Sequence, residues 1–359
     1  MDAVEFLASN VVALPKERTD DDFLSYVRRV LSDYQLQMRQ VRNRSLIEQV
    51  ITTRIEYVED ISRRILECIE RYLRGHPAAA YQSLDDSLVR LGAHFDILCP
   101  SADMSAFVNP MYRFRTDIID SVQANEFFHI PFQLRHIVAS MRYSIPGLPA
   151  LYLGGSTNVC WLELGKPDLK DVTVSRFEAL PNTHLKILNF GYRPERLAAW
   201  IQDAPDEFRE LNSSTAIIGS FVACWPLIAL CSIRKKQSNA KFHAEYILPQ
   251  LVLQWITNTR NFHGVRYFST HCQEYYDDPK TSMNYVFPAL SVNSTGVCPE
   301  LCKLFGLTKP TRWSHAKAEK RTNLTRPHYK YKGELNLDLE NEFGHVESVL
   351  LSKSVLTLP

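Results

Sequence analysis

The sequence predicts an α+β fold in which a helical segment over residues 1–100 precedes a mixed α/β domain over residues 101–359. Three observations carry this. Apolar residues recur at helical spacing from Phe23 to Leu91, short β-like runs broken by Pro, Gly and Asn follow from Met111 to Phe287, and helical patterns are interleaved with those runs.

The first helix starts near Phe23, because Phe23, Val27, Val30, Tyr34, Met38 and Val41 form one face, and Thr19 and Asp20 supply N-cap chemistry. A second should start at Ser45, with Glu48 three residues on completing a capping box. Its stripe runs Ile47, Ile51, Ile55, Val58, Ile61, Ile65 and Ile69, and Gly75 followed by Pro77 stops it. A third, shorter helix fits Tyr81 to Leu91. These stripes need a cover, which can be a neighbouring helix, the rest of the chain, or a second chain as partner or homo-oligomer.

The character changes after Pro100. Strands are expected at Ala150–Leu153, Val172–Val174, Leu185–Leu188 and Val265–Phe268, and helices at Glu195–Ile201 and Phe242–Ile256. Ala216 to Ile233 is the one stretch resembling a membrane span. It is slightly short and interrupted by Trp225-Pro226, and it reads as a buried core segment, so no membrane association is expected. Lys309 to Lys332 is polar and basic, as in an exposed linker, and Leu339 to Leu351 is a last helix that packs back.

Composition narrows the function class. Of 359 residues, 45% are hydrophobic and 23% charged, an ordinary globular balance. The formal net charge of +1, from 41 basic and 40 acidic residues, gives no reason to expect nucleic acid or an anionic membrane as the main partner. Met1-Asp2-Ala3-Val4-Glu5 carries acids where a secretory signal would carry positive charge, and no adequate apolar run follows. Eight scattered cysteines include no CxxC pair and no His/Cys set with zinc spacing. They read as reduced thiols of a cytoplasmic protein without a metal site.

No P-loop, GxGxxG, GxSxG or HExxH occurs. The stretch Arg142-Tyr143-Ser144-Ile145-Pro146-Gly147-Leu148-Pro149-Ala150-Leu151-Tyr152-Leu153-Gly154-Gly155-Ser156, followed by Cys160-Trp161-Leu162-Glu163-Leu164, stands out. A Pro-Gly-x-Pro turn leads into a short strand, Gly154-Gly155-Ser156 ends it, and Ser156 can N-cap a helix carrying Glu163 two turns in. Arg142, Tyr152 and Glu163 can then converge on one cleft, or Arg142 and Glu163 can form a structural ion pair. Two further candidates have bland explanations. His129, in Phe127-Phe128-His129-Ile130-Pro131, fits a partly buried loop histidine. Arg71 and His76 match an Arg-x4-His ribonuclease spacing that also suits a helix C-terminus.

Residues Met111 to Phe287 resemble the RES family, named for an Arg, a Glu and a Ser in that chain order. The matching elements are Tyr112-Arg113-Phe114-Arg115, then Arg142 with Pro146-Gly147, Tyr152, Glu163, Tyr246-Ile247-Leu248-Pro249-Gln250-Leu251, and Gly264-Val265-Arg266-Tyr267-Phe268-Ser269. Two departures are a choice between Arg113 and Arg115 for the first arginine, and a long insertion between Glu163 and Ser269. The resemblance implies an ADP-ribosyltransferase-like fold and an enzyme that consumes NAD as substrate, with no separate cofactor. Such an enzyme is an NAD glycohydrolase or phosphorylase, acting as a toxin or antiviral defence effector held by an antitoxin or other regulatory partner. ADP-ribosyl transfer to a macromolecule, or nucleotide binding without catalysis, are the alternatives.

The implied chemistry suits the residue types. Nicotinamide is a cationic leaving group, so its bond to ribose breaks through an oxocarbenium-like transition state that a carboxylate stabilises; this role falls to Glu163. Guanidinium groups hold pyrophosphate in a planar fork, which suits Arg113, Arg115 and Arg142. Tyr152, with Tyr112 nearby, can stack on the nicotinamide or ribose, and Ser269 can hydrogen-bond the amide or ribose hydroxyls.

Overall fold

The chain is described by a computed structural model, which covers residues 1–99, 102–103, 110–116, 123–203, 212–237, 240–272, 282–319 and 337–358. The fold is α+β. It divides into two compact units: residues 1–100, 141–143 and 188–259 form the first, and residues 101–140, 144–187 and 260–359 the second. The first is thus discontinuous, and the 188–259 stretch, expected in the catalytic domain, clusters with the N-terminal helices instead.

The first unit is helical. It opens with α1 (Ala3–Leu7), α2 (Phe23–Arg39), α3 (Leu46–Thr52), α4 (Ile55–Leu73), α5 (Pro77–Arg90) and α6 (Gly92–Leu98). The cap of α2 is Asp22, whose side chain accepts from the Ser25 N–H, and not the Thr19 or Asp20 read from the sequence. The Ser45–Glu48 capping box is present, but the single helix expected after it is two. The hydroxyls of Thr52 and Thr53 bond back to carbonyls three and four residues earlier, competing with the ladder where α3 ends. Gly75 closes α4 at φ +85°, and Pro77 opens α5 at its first turn instead of merely ending α4.

The stripe residues Ile47, Ile51, Val58, Ile61, Ile65 and Ile69 are buried. Part of their cover is α9 (Asn212–Cys231), which packs against α3, α4 and α6. Its Ser214–Cys231 portion is long and apolar enough to cross a membrane, yet 89% of it is buried inside the structure, as a core helix would be. Trp225 stacks on Tyr34 at 3.8 Å and donates to the Val12 carbonyl, while Tyr34 donates to the carbonyl of Val222. Flanking it in sequence are α8 (Pro194–Asp203) and α10 (Ile247–Thr259), the latter entered through a 3-10 turn at Ala244–Tyr246.

The second unit is built on an antiparallel sheet. Its strands are β2 (Met111–Arg115), β3 (Ala150–Gly154), β4 (Thr173–Ala179), β7 (Gly264–Phe268), β8 (Met283–Pro288), β9 (Phe305–Thr308) and β11 (Val355–Leu356), in the order β11-β9-β4-β2-β3-β8-β7. β10 (Thr311–Arg312) pairs with β4, while β1 (Ala102–Asp103) and β5 (His184–Leu185) form a separate two-stranded ladder. β6 (Ile187–Phe190) lies where the chain passes from this unit to the first. The run Leu185–Leu188 is therefore two short strands, not one.

One sheet face carries a core of Tyr112, Phe114, Val172, Val174, Trp313, Phe343, Val346 and Leu350 beneath α7 (Thr157–Glu163), α12 (Trp313–Ala318) and α13 (Leu337–Leu351). α11 (Pro299–Leu304) leads into β9. The linker expected over Lys309–Lys332 is ordered through Glu319, because Trp313 anchors it to that core; the remainder of that stretch lies outside the described residues.

Candidate active site

A turn, a strand and a short helix deliver the acidic residue. At Ile145-Pro146-Gly147-Leu148 the Leu148 N–H donates to the Ile145 carbonyl at 3.0 Å and Gly147 has φ +74°, the conformation a Pro-Gly type II turn demands. β3 follows and ends at Gly154. A β-carbon there would lie 2.7 Å from the Cys160 Sγ, so only glycine lets α7 fold back this closely on its strand.

Both ends of α7 are fixed. Ser156 N-caps it by accepting from the Val159 N–H. The Thr157 N–H and hydroxyl both donate to Glu347 Oε1 on α13, at 2.7 and 2.8 Å, placing a buried carboxylate at the helix start. At the far end the Lys166 N–H bonds the Trp161 carbonyl and the Gly165 N–H that of Leu162, with Gly165 at φ +76°: a Schellman closure. Trp161 Nε1 donates to the Pro167 carbonyl and its ring packs on Phe343. The last helical residue, Glu163, is therefore held by clamps on both sides.

The Glu163 carboxylate sits in a polar cluster. Ser269, fully buried just past β7, donates its hydroxyl to Glu163 Oε1 at 2.5 Å, and Asn284 on β8 donates Nδ2 to the same oxygen at 2.7 Å. The Ser269 N–H bonds the Ser282 carbonyl at 2.8 Å, which fixes the backbone of that serine. His271 donates its backbone N–H to Ser269 Oγ at 3.2 Å, and its Nε2 stands 3.8 Å from Glu163 Oε2. Two charge-assisted bonds thus orient one carboxylate oxygen while the other faces an imidazole. Glu163 keeps 30% of its side-chain surface exposed, enough to meet a ligand.

Strand register shows what shares this face. Directly paired residues of an antiparallel ladder project to the same side. Tyr152 pairs with Val286, and Tyr267 with Asn284, so both half-buried tyrosines lie on the side of Asn284. Tyr112, opposite Gly154, projects to that side too, but is wholly buried in the core under α7.

Arg113 and Arg115 alternate with Tyr112 and Phe114 and project to the other face. There Arg115 donates to the Glu126 carbonyl at 2.6 Å, and Arg113 lies near His129. Arg142 belongs to the first unit, where it is 7% exposed, donates to the Cys231 carbonyl at 3.1 Å and lies 5.2 Å from the Tyr246 ring centroid. Of the residues singled out in the sequence, the structure brings Glu163 and Ser269 into contact, with Tyr152 on the same sheet face; Arg113, Arg115 and Tyr112 do not join them.

Two members of the cluster were missed. Asn284 had a signal, being the one strongly polar residue in the run Met283-Asn284-Tyr285-Val286-Phe287. His271 had none beyond lying two residues after Ser269.

His129 is part of the scaffold. It is buried, its Nε2 accepts from the Cys298 N–H at 2.7 Å and its Nδ1 bonds the Ile130 carbonyl at 2.7 Å, which requires the neutral ring; burial pushes its pKa down to about 4. Arg71 is paired to Glu67 one turn earlier on α4, and its carbonyl accepts the His76 N–H at the helix end. Among the described residues no group of three or more His, Cys, Asp or Glu could hold a metal ion.

No protein-family model matches the chain, and no solved structure matches it. It is 31% identical over 316 residues to a Bacillus subtilis (strain 168) protein bearing the name "Putative toxin YopC", an alignment spanning 86% of this chain and 70% of that protein.

Proposed function

The chain belongs to the family of that Bacillus subtilis protein, YopC, and on this premise we propose that it is a toxin that cleaves NAD at the nicotinamide–ribose bond. The observation that carries the chemistry is the Glu163 carboxylate, with two donors on Oε1 and the His271 ring 3.8 Å from Oε2. Breaking a bond to a cationic leaving group builds positive charge on the ribose, and a carboxylate already oriented before the reaction stabilises that charge without reorganising. Ser269 and Asn284 hold Glu163 in place, and Tyr152 and Tyr267 offer ring faces for the nicotinamide or the ribose. The order of Arg, Glu and Ser elements that resembles the RES family supports the same substrate. Arg113 and Arg115 project to the other sheet face and Arg142 belongs to the first unit, so their expected hold on the pyrophosphate is a separate proposal.

The test is incubation of the purified protein with NAD and resolution of the products. Stoichiometric nicotinamide and ADP-ribose is the expected result. Nicotinamide without free ADP-ribose would point to transfer onto an acceptor, and intact NAD would overturn the assignment.

A further inference from the structure

We propose that His271 is the catalytic base that takes the proton of the attacking acceptor, and that this acceptor is a neutral hydroxyl, water above all, and not inorganic phosphate. The inference rests on N-glycosyl cleavage at Glu163, as proposed above.

His271 Nε2 lies 3.8 Å from Glu163 Oε2, the oxygen to which neither Ser269 nor Asn284 donates. That gap is too long for a direct hydrogen bond, but an oxygen placed beside both atoms can bond to each. The backbone is anchored where this matters, because the His271 N–H donates to the same Ser269 hydroxyl that orients Glu163. The side chain of His271 is 46% exposed, so solvent reaches it, and Glu163 is the charged group that faces it among the described residues.

Proton balance assigns the roles. As the C1′–N bond breaks, its electron pair returns to the nicotinamide ring nitrogen, and the leaving group departs neutral without needing a proton. The acceptor oxygen forms the new bond to C1′ and must lose a proton. Glu163 is needed ionised throughout, to stabilise the oxocarbenium, so a carboxylate that took that proton would cancel its own effect. A neutral imidazole next to it can take the proton and return it to solvent. Phosphate arrives already charged and has no use for such a base.

The test measures nicotinamide release by wild type, His271→Gln, His271→Asn and Glu163→Gln, each checked for an unchanged melting temperature, with and without azide. Azide is a nucleophile that needs no deprotonation. Both His271 variants are expected to lose about 100-fold or more in kcat with little change in KM. Azide should restore turnover in them with ADP-ribosyl azide as product, and should leave Glu163→Gln inactive. Folded His271 variants with wild-type kcat, or with a deficit that azide does not repair, overturn the assignment while N-glycosyl cleavage stands. Wild-type protein that releases no nicotinamide removes that premise, and this inference with it. If phosphate in place of water carries wild-type turnover, the acceptor assignment is wrong.

Discussion

At the scale of single residues, Glu163 is the side chain on which most depends. Glu163→Gln keeps the shape and the two donors but removes the charge. Loss of one oriented electrostatic group costs on the order of 2.7–4 kcal/mol of barrier, so kcat for NAD should fall by about two to three orders of magnitude. A folded variant with wild-type turnover would sink the assignment. His129 gives a pH signature of the scaffold. Its folded pKa, about 4, is depressed below the ordinary 6.5, so between these values the unfolded chain binds a proton that the native one refuses. The stabilising effect is complete above about pH 6.5 and declines by about 1.4 kcal/mol per unit as pH falls toward 4. His129→Gln, which keeps an acceptor for the Cys298 N–H, should flatten that part of the melting-temperature profile. An equal slope in the variant would assign the effect elsewhere.

At the scale of elements, the link between β3 and α7 is the part most exposed to a test. Gly154→Ala drives a methyl into the Cys160 Sγ, the Ser156 carbonyl and the Cys160 N–H. It should destabilise the protein by about 1–3 kcal/mol. The double variant with Cys160→Ala should recover only part of this, since the two backbone contacts remain, and calorimetric or denaturant melts of both would measure the coupling. Strict additivity would mean that the thiol is not what forbids a side chain at 154. This neighbourhood was largely legible in the sequence: the turn, the strand, the Ser156 cap and the position of Glu163 are local events, specified by Pro, Gly and Ser within a few residues. The contacts that complete the cluster were not, because β8 and β7 bring Asn284 and Ser269 across 121 and 106 residues of chain. Period and propensity do not register such pairings. The splitting of the second helix was also invisible, since Thr52 and Thr53 leave the apolar stripe unbroken.

At the scale of the whole molecule, the helical unit is a composite of distant segments. Its N-terminal helices cover α9 through Tyr34, Val12 and the faces of α3, α4 and α6. The sequence announced the stripes and the buried apolar run separately, but no local rule matched one to the other across more than a hundred residues. Removing residues 1–100 strips a largely apolar twenty-residue helix of its cover. A fragment of residues 101–359 should therefore aggregate or form large oligomers, which its mass in solution would report. A monodisperse, monomeric fragment with a native melting transition would show that α9 needs no such cover.

The same composite build sets an order of events during synthesis. A ribosome adding about 5–20 residues per second needs roughly 7–26 s to pass from residue 100 to residue 231, and for that interval the early helices wait without their central helix. Glu163 waits longer for its partners, because Asn284 emerges later still. A nascent chain thus holds an acidic residue without its oriented setting until a further 121 residues have been added. For a protein proposed to destroy NAD, the topology delays the chemistry until the chain has been made at least as far as Asn284.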